Sequence, residues 1–119
     1  MTLTNARQST RVSLCLRLWL KGETRNRVLD SLRAMAERNE VKEACCDMEV
    51  CVSAVDCDAV IVVEEWESLG ALEAHIRSTD FRAILAAMDL SSREPEVRVD
   101  HVSTRQGFEY LQNVLGSHE

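Results

Sequence analysis

Apolar and polar residues alternate from Thr10 to Leu20. One parity holds Val12, Leu14, Leu16, Leu18 and Leu20; the other holds Ser13, Cys15, Arg17 and Trp19. That pattern predicts a strand with one fully apolar face and one mixed face. KGET turns the chain. The period then changes to that of a helix from about Thr24 to Asn39, with Val28, Leu32, Met35 and Ala36 as its stripe. ACCDMEVCVS reads as a second strand, with Cys46, Met48, Val50 and Val52 on one face and Asp47 and Glu49 on the other. AVDCD supplies turn residues. AVIVVEEW is a third strand, apolar at both parities through Val63. Ser68 is placed to cap a helix running to about Arg77. STD predicts a break and a second capped start, followed by a stripe of Phe81, Ile84, Leu85 and Met88. EVRVDHVS alternates as a fourth strand. A short tail helix carries Phe108, Leu111 and Leu115, and Gly116 can end it.

This order, β-α-β-β-α-β plus an extra C-terminal helix, is the α+β ferredoxin-like pattern. Right-handed crossovers give an antiparallel sheet with the first and third strands in the centre. The charged faces of the second and fourth strands suit edges. Residues 1–9 are polar and read as a flexible N-terminal tail, and 10–119 as a single domain. The third strand needs cover on both faces, yet the chain has helices for only one. A second copy of the sheet is the simplest cover, so a homodimer is expected.

Composition narrows the function classes. Net charge is −6 with no basic block, which argues against nucleic acid. VSLCLRLWL is too short to span a bilayer, is interrupted by Arg17 and is followed by no small-residue cleavage site. A cytoplasmic protein with no membrane partner is expected. The five cysteines (Cys15, Cys45, Cys46, Cys51, Cys57) show no C-x-x-C spacing, and no His lies near Cys45 to Cys57 in sequence. No metal site is expected. Reduced, packed thiols are expected in place of a redox sensor, because Asp47, Glu49, Asp56 and Asp58 surround them with the wrong charge.

Motifs for phosphate-binding loops, dinucleotide folds, zinc proteases and serine hydrolases are absent. Glu64 and Glu65 point to opposite faces of their strand and cannot share a site; Glu65 and Glu67 fit a solvated strand end. Trp66 and His75 remain, one ending the third strand and the other on the flank of the Leu69, Leu72, Ile76 stripe. Both can border the space between helix and sheet. Spacing alone favours ordinary packing: a core Trp, and a flanking His with one structural hydrogen bond. Removing a structural His75 would destabilise the protein, whereas a catalytic His75 on the flank could be removed with little change in stability.

The stretch EEWESLGALEAHIRSTDF resembles the signature of the antibiotic biosynthesis monooxygenase family, and of its quinol-monooxygenase-like members in particular. The matching elements are E-x-W-x-S at Glu64 to Ser68, L-x-A-H-hydrophobic-x-S at Leu72 to Ser78, and the aromatic Phe81. Similarity extends to ACC near Cys45 and to EPEVRVDHVSTRQG, and covers nearly the whole chain after Thr10. Ala44 stands where Gly is common, and Cys57-Asp58 replaces a Pro-Asn-like turn. The resemblance implies a dimeric α+β barrel with one pocket per subunit between sheet and helices. It implies oxidation of a small phenolic or quinol-type aromatic by O2 without cofactor or metal. His75 would then be the base, with Trp66, Phe81 and Met88 as pocket walls and Cys15 as a further substrate contact. A haem-degrading relative would have an Asn near Cys15 and a His at Leu85, so haem breakdown is disfavoured. A non-catalytic dimer binding a small hydrophobic metabolite, or an isomerase using the same His, shares the fold.

Overall fold

The structure, a computed structural model, describes residues 10–116 and the backbone of Arg7 and Gln8. The remainder of the expected N-terminal tail and His118 lie outside the described residues. The elements run β1 (Arg7–Gln8), β2 (Val12–Trp19), α1 (Gly22–Asn39), β3 (Cys45–Val52), β4 (Ala59–Trp66), α2 (Leu69–Ile76), α3 (Phe81–Asp89), β5 (Glu96–His101), β6 (Thr104–Arg105) and α4 (Phe108–Gly116). Four of the strands form one antiparallel sheet in the order β3-β4-β2-β5, so the two most apolar strands are central. This is the α+β ferredoxin-like arrangement that the periodicity predicts.

Each element follows from its residues. Alternation in β2 sends Val12, Leu14, Leu16 and Leu18 under the helices, all at most 3% exposed. β4 adds Val60, Val62 and Trp66 to the same face. Val28, Leu32 and Met35 of α1, Leu72 of α2, and Phe81, Ile84 and Ala87 of α3 close the core from above. Gly22 opens α1 with φ 52°, a left-handed backbone that suits glycine at this tight strand-to-helix turn. Ser68 caps α2 by accepting a hydrogen bond from the Ala71 N–H at 3.1 Å. The expected cap on α3 does not form. Asp80 has helical backbone angles, and its carboxylate instead accepts from Arg38 Nε and Lys42 Nζ, each at 3.1 Å, tying α3 to the end of α1.

Two details depart from the alternation. A bulge between Cys45 and Asp47 makes Cys46 the extra residue. Cys45, not Cys46, therefore sits opposite Trp66 and packs on the core. On α1 the buried stripe ends at Asn39 and not at Ala36; Asn39 is fully buried and donates Nδ2 to Met48 Sδ at 3.2 Å.

β1 and β6 form a separate two-stranded clasp. Glu65, on the sheet face away from the helices, holds its root. It accepts from Arg105 through both carboxylate oxygens and from Arg11 at 3.0 Å. The Arg105 hydrogen bonds, then those of Arg11, hold the Glu65 carboxyl below its ordinary value against the opposing effect of burial. A depressed folded-state value stabilises above the unfolded value of about 4.3 and is lost as pH falls through the folded value. Hydrogen exchange below about pH 4 is therefore expected to show amides of β6 losing protection before those of β2 and β4. Simultaneous loss in all three would show that the clasp does not depend on Glu65. Among the described residues no helix is long and apolar enough to cross a membrane.

Candidate functional site

The end of β4 and the second turn of α2 meet under α3. Glu64 and Trp66 share the parity of Val60 and Val62, so both side chains point toward the helices. The Ser68 cap starts α2 so that its buried face carries Leu72 and His75. His75 stacks on Trp66 with ring centroids 4.5 Å apart and meets the edge of Phe81 at 5.5 Å. It is not on an exposed flank: only 4% of its surface is accessible, and the Glu64 carboxyl beneath it is fully buried. Glu64 Oε1 accepts a hydrogen bond from Trp66 Nε1 at 2.9 Å and lies 3.3 Å from His75 Nε2. His75 Nδ1 and Glu64 Oε2 are buried with no hydrogen-bond partner, and the Nε2–Oε1 approach is itself outside hydrogen-bond geometry.

A buried carboxyl and imidazole with unused lone pairs are costly to keep in an apolar core. Trp66 fixes one carboxyl oxygen, that oxygen lies 3.3 Å from His75 Nε2, and Nδ1 is left without a partner. That is the orienter-and-base logic of an acid–base site. Of the residues singled out from sequence, His75, Trp66 and Phe81 are brought together. Met88 packs against the core that surrounds them. Cys15 is placed elsewhere: it pairs with Val63 and Arg98 on the sheet face away from the helices, so it cannot contact a ligand bound at His75. Sequence reasoning overlooked Glu64. Glu64 and Glu65 do lie on opposite faces, and Glu64 enters the E-x-W-x-S resemblance without a role; its shared parity with Trp66 was the available signal.

A cavity of about 280 Å³ lies next to this cluster, lined by Ala36, Asn39, Cys45, Met48 and neighbouring acidic residues. Neither Trp66 nor His75 opens onto it, although Cys45 and Met48 stand opposite Trp66 and Glu64 in the sheet. Burial, then the nearby Glu64 charge, push the Cys45 thiol up, which disfavours a reactive thiolate there. Among the described residues no three His, Cys, Asp or Glu side chains come together to hold a metal ion.

Residues 11–87 match the family model described as antibiotic biosynthesis monooxygenase. No curated protein matches the chain. Solved structures share the fold. A conserved protein from Methanosarcina mazei Go1 superimposes with a TM-score of 0.70 at 20% identity, covering 77% of this chain and 92% of that one. Rv0793 from Mycobacterium tuberculosis gives 0.68 at 20% identity, covering 77% and 94%. A protein described as an antibiotic biosynthesis monooxygenase gives 0.67 at 20% identity, covering 76% and 97%.

Proposed function

We propose that this chain, which belongs to the antibiotic biosynthesis monooxygenase family, is a cofactor-independent oxygenase acting on a small phenolic or quinol-type aromatic with O2. The observation that carries the reading is the buried dyad of Glu64 and His75 against Trp66. In this reading His75 Nδ1 takes the proton from a substrate hydroxyl, and the resulting anion is electron-rich enough to reduce O2 directly. For a hydroquinone the balance closes without any other reductant. One oxygen atom ends on the ring as a hydroxyquinone, the other leaves as water, and the substrate supplies all the electrons. Glu64 stabilises the imidazolium that forms, as a buried carboxylate beside a catalytic base does. Trp66 and Phe81 offer aromatic faces, and the sealed surroundings keep bulk water from competing for the proton. The protein works as a homodimer in this account, because Ile61 and Val63 on the far face of β4 need an apolar cover.

The test is O2 uptake by the metal-free protein with a panel of substituted hydroquinones. A rate saturating with at least one hydroquinone, well above its autoxidation, is expected. Uptake at the autoxidation rate for the whole panel would overturn the proposal. A second reading, a non-catalytic dimer that binds a small metabolite, is favoured by one observation: the cavity beside α1 does not reach His75. Ligand binding without O2 uptake would select it.

A further inference from the structure

Two apolar surfaces stay exposed among the described residues, and they complement each other. The first is α4, where Phe108, Leu111 and Leu115 form one stripe and are 69%, 54% and 73% exposed; no residue of the helix is buried. A helix of this length, below about 12 residues, is marginal in water unless another surface holds its apolar side. The second is the helix-side face of β5. Val97 and Val99 pair with Leu16 and Leu14, so they extend the core face of the sheet, yet they stay 54% and 42% exposed because the other helices pack over the opposite half.

The root of α4 decides which copy supplies the cover. Arg105 is bound to Glu65 on the sheet face away from the helices, and β6 is paired with β1 just before the helix begins. The chain therefore enters α4 on the side opposite its own Val97 and Val99. We infer that α4 of each copy packs across Val97 and Val99 of a second copy, in a reciprocal two-fold exchange. The exchanged helix lies beside the site. Val99 lies two strands from Glu64 through Leu14, and His101 two strands from Trp66 through Val12, on the same face and roughly 10 Å away. The partner's α4 thus runs roughly 10 Å from the dyad, over Val97 and Val99, which a single copy leaves exposed.

The inference rests on the homodimer reading, and one experiment separates the two. The full chain carrying p-benzoylphenylalanine at position 108, an aromatic for an aromatic, is irradiated, with a second preparation carrying it at Leu111. The expected product has the mass of two chains and links position 108 or 111 to residues 96–101 of the other chain. A link to 96–101 at the mass of one chain, or no link to that strand in either preparation, overturns the inference. Sedimentation of the unirradiated protein as a monomer defeats the homodimer and the exchange together. A dimer without this cross-link defeats the exchange alone.

Discussion

Alanine at His75 is expected to lower turnover by about 10²–10⁴-fold, as loss of a general base does, and to destabilise the fold by about 3–5 kcal/mol. The second effect reverses the expectation from sequence, where a flanking His could be removed at little cost. The structure buries His75 on Trp66 and over a fully buried carboxyl, so its removal leaves a cavity beside Trp66 and takes from Glu64 the imidazole that lies 3.3 Å away. Rate loss and destabilisation are therefore confounded in the single variant. The double variant Glu64→Gln/His75→Leu separates them. The glutamine amide still offers an oxygen to Trp66 Nε1, no buried charge remains, and leucine fills the imidazole space. A coupling of about 1–3 kcal/mol is expected in the double-mutant cycle, restoring part of the stability. Turnover should not recover. Chemical denaturation and initial rates on the four proteins supply both readouts. Additive stability effects would show that Glu64 and His75 do not act as a pair.

The next largest effect concerns adjacent residues of β4. Val62 is fully buried and faces the helices; Ile61 pairs with Arg17 and Cys51 and faces away from them. Val62→Asp puts an unpaired charge in the core, at several kcal/mol, against a total stability of about 5–15 kcal/mol for a domain. It is expected not to fold. Ile61→Asp puts the charge beside Arg17 on the face assigned to the partner. It is expected to give a folded monomer by sedimentation and far-ultraviolet circular dichroism. Retention of the parent's dimer by Ile61→Asp would place the interface elsewhere.

The order of elements and the central position of β2 and β4 were legible because the apolar period changes cleanly from two to near 3.6 at Lys21 and at Ser68. The core face of β2 was legible to the residue. The Cys45 bulge was not, since an inserted residue shifts parity without changing composition. Asn39 and Asp80 escaped for a different reason. One is a polar residue carried into the core by α1, and the other ties α1 to α3; both depend on how the helices pack. For the candidate site, Trp66 and His75 meet between α2 and β4, where their spacing puts them, but the buried carboxyl beside them was hidden. A Glu at a strand end reads as solvated until tertiary packing covers it, and only the seating of α2 on β4 buries Glu64. Cys15 was readable as misplaced, since it shares the mixed parity of Ser13 and Arg17. The tail helix was legible as a helix, but its stripe does not name what it packs against.

O2 consumption by Glu64→Gln/His75→Leu, beside the parent and with a hydroquinone that the parent oxidises, tests the assignment of the dyad most directly. The account predicts a rate at least about 100-fold below the parent, with the substituted protein still folded and of the parent's oligomeric size. A folded double variant that consumes O2 at the parent's rate would contradict it.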